Sequence, residues 1–343
     1  MATIIDVAHR AGVSKSTVSL VINNSSRVKP TTKEKVQKAI EELGYTPNLS
    51  AVELTTRRHF NLGMILVTNC SAYTRNAFDI MDDNYLNDVS SGVYKEMRKH
   101  NYGILVEQFV ATAENANKVP NIVRTNRTDG LFIAGGLFHE SFLNNLMAKS
   151  IPLVVMGRTC EGIDSVNTDA EHAVFIGMQY LIQKGHRDIL YMSGPDLTPS
   201  SKYKDNGYRK ALRGAGLPDR PEMFYKCEFT GLSGYLAMKA FHEKEGRWPS
   251  AVFTSGDAMA VGVLRCLYEN DKRVPDDVSI VTYDDSLLVT HSSPAITSVC
   301  INKEEIGVKA AKLMIERLHN PGKPPVNAYI PVKLVVRQSV RAI

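Results

Sequence analysis

From Leu62 onward, short apolar runs alternate with longer amphipathic stretches, and this alternation limits the fold more than any other feature of the chain. The runs at 62–67, 103–107, 130–134, 153–156, 189–192, 251–254 and 278–283 have the length of strands and offer no polar face. The stretches at 87–99, 173–184 and 258–269 repeat their apolar residues at helical spacing. A strand that is apolar on both sides needs a cover on both sides, so the pattern predicts parallel sheets flanked by crossover helices. With 343 residues the chain exceeds one ordinary core, and two or three folding units are expected.

The first sixty residues have a different grammar. Thr3 and Asp6 are spaced as a capping box, and Ile4, Val7, Ala8 and Ala11 follow at helical spacing. Gly12 suits a turn with positive φ, Val13 plugs the angle, and Ser14 can cap a second helix running through Asn23. Val18, Val21 and Ile22 form the buried stripe of that helix, which leaves Lys15, Ser16 and Leu20 on another face. Thr31 and Glu34 predict a second capping box, with Val36, Ala39, Ile40 and Leu43 as the apolar face and Gly44 as the stop. Two short helices across so brief a turn read as a helix-turn-helix, although a plain three-helix bundle has the same pattern. Charge points toward a polyanion. These sixty residues hold nine Lys and Arg against five acids, a net +4 of the whole chain's +5.

The stretches TIIDVAHRAGVSKSTVSLVIN and RVKPTTKEKVQKAIEELGYTPN closely resemble the start of the lactose-repressor family (LacI/GalR type). The resemblance implies a DNA-binding domain at 1–47, followed by a hinge helix and linker at 48–60. It places the second helix in the major groove, with Lys15, Ser16 and Leu20 toward base edges. Thr3, Ser14, Thr17, Ser19, Asn23 and Tyr45 are then the neighbouring DNA contacts. Asn48, Ala51 and Leu54 fall on the hinge helix, with Leu54 as the wedge that enters the minor groove. Leu20 departs from the arginine frequent at its position, so it offers apolar contact in place of a fork to guanine.

The likeness continues through Asp129-Gly130-Leu131, Gly157-Arg158, Lys184-Gly185-His186, the run from Gly256 to Gly262, and Tyr283-Asp284-Asp285. The implied fold is an N-terminal all-α helix-turn-helix headpiece with a hinge helix, then a C-terminal α/β core like the periplasmic binding proteins. That core, 61–343, serves effector binding and dimerisation. It comprises two Rossmann-like subdomains, about 61–160 with 291–322 and about 161–290 with 323–343. Ligands of open α/β sheets bind beyond the carboxyl ends of strands. The resemblance gives Tyr85, Arg158, Lys204, Phe229, Asp257 and Asp284 as effector-binding candidates, Asp257 being equally suited to capping a helix. Lys204 stands where relatives often have a clamping arginine, and Gly256 replaces a frequent polar residue. The polar stretch 69–84, with Asp79, Asp82 and Asp83, is longer than usual for the family; no metal site is expected there.

The remaining observations exclude other classes. There is no G-x-S-x-G, H-E-x-x-H, P-loop, or G-x-G-x-x-G after a strand, and His186-Arg187-Asp188 lacks the Asn a kinase loop needs, having Ser193 there. No catalytic residue or cofactor is expected. Cys70, Cys160, Cys227, Cys266 and Cys300 are scattered without a CxxC pair and read as core thiols. No apolar run approaches the roughly 18 residues of a membrane span, and MATIIDVAHR has no leader-like pattern, so a cytoplasmic protein is expected. The expected partners are pseudopalindromic operator DNA, a second copy of the chain, and a sugar or sugar-phosphate effector. A homodimer is expected over a tetramer, since Arg341-Ala342-Ile343 follow no heptad-repeat helix. A purine or protein corepressor is the alternative, with a soluble sugar-binding protein a remoter one.

Overall fold

The computed structural model describes residues 2–22, 25, 27–45, 58–68, 84–110, 118–135, 140–196 and 199–343. Its contacts divide the chain into two compact units, Met1–Phe60 and Asn61–Ile343.

The first unit holds helices α1 (Ile4–Ala11), α2 (Lys15–Ile22) and α3 (Pro30–Leu43). Thr3 and Asp6 form the capping box on α1: the Asp6 amide donates to Thr3 Oγ1 at 3.3 Å and the Thr3 amide to Asp6 Oδ2 at 2.8 Å. Gly12, at φ +65°, ends α1 in the left-handed region, where a Cβ is disfavoured. The Thr17 amide then donates to Ser14 Oγ at 3.1 Å, starting α2. The capping box expected at Thr31 and Glu34 does not form. Pro30 takes the first helical position, because its φ is already helical and it has no N–H to satisfy, so Thr31 lies inside α3. Val7, Ala8, Val18, Val21, Val28, Val36 and Ala39 close a small core.

The second unit contains β1 (Asn61–Thr68), α4 (Asn84–Met97), β2 (Gly103–Val110), α5 (Asn121–Arg124), β3 (Leu131–Ala134), α6 (Glu140–Met147), β4 (Leu153–Met156) and β5 (Asp164–Thr168). These are followed by α7 (Ala170–Gln183), β6 (Ile189–Ser193), α8 (Pro199–Gly214), β7 (Phe224–Lys226), α9 (Gly231–Glu245), β8 (Ala251–Thr254), α10 (Asp257–Glu269) and β9 (Ser279–Asp284). The last elements are α11 (Leu287–Thr290), β10 (Thr297–Cys300), α12 (Lys303–His319), β11 (Asn327–Ile330) and β12 (Lys333–Val335). The strands build two six-stranded sheets, ordered β11-β5-β4-β3-β1-β2 and β12-β10-β9-β8-β6-β7. Every pairing is parallel except that of β12 with β10.

The chain crosses between the sheets after Thr168, after Cys300 and after Ile330. The expected subdomain boundaries near 160, 291 and 322 therefore move. β5 pairs with β4, so the first half runs on through Thr168; β10 pairs with β9, so the second half extends to Cys300. Both strands are short and rich in Ser, Thr and Asn, which hides them from a search for apolar runs. Helix α12 returns to the first half and packs tightly on α4. A Cβ on Gly92 would stand 2.0 Å from the Glu304 carbonyl oxygen, and one on Gly307 would stand 2.1 Å from that of Val89. Cys160, Cys227 and Cys266 are buried free thiols, and Cys300 is a half-buried one.

Candidate functional site

The first unit presents one face of α2. Lys15, Ser16 and Leu20 are exposed there, while Val18 and Val21 point into the small core. Thr17 and Ser19 are half-buried beside them. Thr3 Oγ1 is engaged with Asp6 at 2.7 Å, and Ser14 Oγ lies 2.9 Å from Thr17 Oγ1. Tyr45 packs half-buried against the small core. Asn23, Asn48, Ala51 and Leu54 lie outside the described residues, as do Cys70 and Asp79, Asp82 and Asp83 of the polar stretch.

In the second unit, four of the six predicted effector residues meet at the carboxyl ends of β6, β8 and β9. Lys204, on α8, is buried and donates to the Ser255 carbonyl at 2.9 Å. Its Nζ lies 3.8 Å from the centre of the Tyr283 ring and 5.1 Å from that of Phe229. Burial holds this ammonium below the ordinary lysine range, against the charges of Asp284, Asp257 and Asp205. Phe229 fits its ring over two glycines. A Cβ on Gly194 would come within 2.2 Å of the ring and one on Gly256 within 3.3 Å, so the small residue at 256 makes room for the aromatic face.

Asp257 is the first residue of α10 rather than its cap, which is Gly256. Its Oδ2 accepts from the Ser286 amide at 2.6 Å, tying α10 to the turn after β9. Its Oδ1, and Ser255 Oγ nearby, are buried and meet no hydrogen-bond partner among the described residues. Burial, then the negative charge of Asp284, push the Asp257 carboxyl up to about 7. Asp284 itself is raised by burial, with Lys303 and Lys204 opposing that shift. Asp284 and Asp285 take φ +116° and +61°, a conformation that non-glycine residues adopt only when surrounding contacts impose it. Arg337 holds Asp285 at 2.7 Å.

The other two predicted residues belong to the first half. Tyr85, at the start of α4, packs half-buried against apolar clusters of both halves, and its hydroxyl would stand 2.7 Å from a Cβ on Gly157. Arg158 follows, half-buried, beyond β4. Two residues went unpredicted, Lys303 and Asp88, whose side chains meet at 3.2 Å. Lys303 directly follows the crossing after β10, a strand with no apolar run, and Asp88 sits in the first turns of a helix that reads as ordinary.

A helix-turn-helix unit, joined in one chain to two largely parallel sheets with a polar and aromatic wall at the strand ends of the second, has the make-up of a ligand-responsive regulator of transcription. Comparison with known proteins agrees. Residues 3–48 match the family of bacterial regulatory proteins of the lacI type, and residues 178–340 match the periplasmic binding protein-like domain. The chain is 33% identical to the HTH-type transcriptional repressor PurR of Yersinia pestis (strain Pestoides F), over 99% of this chain and 97% of that one. It is 30% identical to catabolite control protein A of Priestia megaterium over 99% of each. Among solved structures, a transcriptional regulator CelR–cellobiose complex superposes with a TM-score of 0.74 at 28% identity, covering 99% of this chain and 100% of that one. The lac repressor dimer bound to operator and an anti-inducer superposes with a TM-score of 0.81 at 24% identity, covering 99% of each chain. The chain belongs to the LacI family and is a DNA-binding transcriptional repressor.

Proposed function

We propose that the protein acts as a homodimer on a pseudopalindromic operator in the cytoplasm, without catalysis, and that an uncharged sugar bound between the halves of the core releases it from DNA. The observation that carries the effector reading is the buried acceptor wall. Asp257 Oδ1 and Ser255 Oγ lack partners there, Asp284 is beside them, and the Phe229 ring lies over Gly194 and Gly256. Buried polar atoms without partners favour a ligand rich in hydroxyl groups, which both donate and accept, and an aromatic ring favours a flat apolar face such as a pyranose presents. A sugar phosphate is the weaker candidate: Lys204 is bound to Ser255 and Lys303 to Asp88, so both buried ammonium groups are already engaged. The likeness to the cellobiose-bound regulator points the same way.

For DNA, Lys15, Ser16 and Leu20 are the proposed base readers, supported by their shared exposure on one face of α2. Thr3, Ser14, Thr17, Ser19, Asn23, Tyr45, Asn48, Ala51 and Leu54 complete the proposed interface. Among the described residues no helix is long and apolar enough to cross a membrane.

A purine corepressor is the competing reading, because the Phe229 ring could equally stack on a base. Thermal shift of the full-length protein against neutral sugars, sugar phosphates and purines separates the two. A ligand at about 100 times its Kd adds roughly 2.7 kcal/mol. Stabilisation by a neutral mono- or disaccharide supports the proposal, and stabilisation by a purine or a sugar phosphate alone rejects it.

A further inference from the structure

Lys303 is the first residue of α12, three residues beyond Cys300 at the end of β10, and its side chain is 5% exposed. Its Nζ lies 3.2 Å from Asp88 Oδ2 on α4, in the first half of the core. On the other side, Asp284 ends β9 in register with Cys300 of β10, three residues before Lys303, and its charge and that of Asp257 favour the ammonium. Burial disfavours the ammonium, and Asp284, Asp88 and Asp257 together more than offset that cost, so the group stays charged. In return, Lys303 is the foremost charge that favours ionised Asp284, whereas Asp88 opposes it. Thr168 Oγ1, ending β5 in the first half, also lies 3.4 Å from the Tyr283 hydroxyl of the second.

We propose that Lys303 couples the two halves of the core, its single ammonium shared between Asp88 of the first half and the Asp284–Asp257 pair of the second. Without the ammonium, Asp88 and the wall carboxyls of the second half would lose the one cation that offsets the charge of both. With it, each half is attracted to the same cation. Coupling between sites needs an element whose arrangement both sides bias, and a shared buried charge has that property. A ligand that donates hydrogen bonds to Asp284 weakens that carboxylate's hold on Lys303 and alters how firmly the halves are tied. This last consequence rests on the proposed effector site; the tie itself exists without any ligand.

The test is hydrogen–deuterium exchange of the full-length, ligand-free protein carrying Lys303→Met, Asp88→Asn or both. Methionine keeps most of the aliphatic volume, and Asp88 is half-exposed, so its substitution leaves the fold intact even if that of Lys303 does not. Each single variant should raise exchange several-fold in both 86–92 of α4 and 285–290 after β9, with the double variant adding little, as expected of two residues in one interaction. Faster exchange confined to the first turn of α12, or independent additive effects, would overturn the proposal. No ligand is used, so failure of the effector reading would leave this result unchanged.

Discussion

The Lys204 ammonium lies 3.8 Å from the centre of the Tyr283 ring, so the cation that the family resemblance places toward the ligand is held instead against an aromatic face of the protein. Phe229 flanks it and the Ser255 carbonyl accepts a hydrogen bond from it. This box suits a compact ammonium better than a planar guanidinium. Lys204→Arg should cost about 1–3 kcal/mol of stability through overpacking. Urea unfolding monitored on the core domain measures this, and a variant as stable as the parent would show the box to be roomier than its distances indicate.

Burial and the charge of Asp284 push the Asp257 carboxyl up to about 7 in the folded protein, against about 3.9 for an unfolded aspartate. Between those values the folded state holds a proton that the unfolded chain has released. The contribution is therefore full below about pH 4 and is lost as pH rises through about 7. Asp257→Asn carries no such titration. At about pH 8 it should be more stable than the parent by of order 1 kcal/mol or more, with the difference disappearing toward about pH 4. Thermal melts across this range test the prediction, and an offset that does not change with pH would contradict it.

Leu20 stands exposed on α2, at the position where the family resemblance leads one to expect an arginine. Leu20→Arg should shift the preferred operator toward guanine at one position in each half-site, by about 1–3 kcal/mol of discrimination. Selection from a randomised DNA pool with parent and variant compares the two preferences. Identical consensus sequences would remove Leu20 from the base-reading face.

Much of this architecture was legible where local chemistry repeats. The capping pair Thr3 and Asp6, the turn at Gly12, and the apolar strands β1, β3, β4, β8 and β9 all declare themselves within a few residues of sequence. Strands β5, β7, β10, β11 and β12 do not. They are three to five residues long, and β5 is buried because β4 and β11 flank it, not because Asp-Ser-Val-Asn-Thr is apolar. Missing β5 and β10 misplaced the crossings. The candidate site divides in the same way. Asp284 and Phe229 follow from strand ends and family likeness, but an ion pair joining residues 88 and 303 has no signature at either position. The engagement of Lys204 with Tyr283 likewise depends on one long side chain reaching from α8 to β9, a contact that no periodicity encodes.

If a ligand held on the Asp284 wall sets operator binding, operator titration in the presence of that ligand reads the effect out. Wild type and Asp284→Ala would each be titrated with operator across a range of the neutral sugar found by thermal shift. The substitution lies outside the helix-turn-helix unit, so both proteins should bind operator without sugar, and each sugar response is read relative to that protein's own sugar-free midpoint. With sugar, the variant should need roughly ten- to a hundredfold more for half-release, the loss expected when a charged hydrogen bond is removed. An unchanged sugar response in Asp284→Ala would place the effector elsewhere and contradict the account.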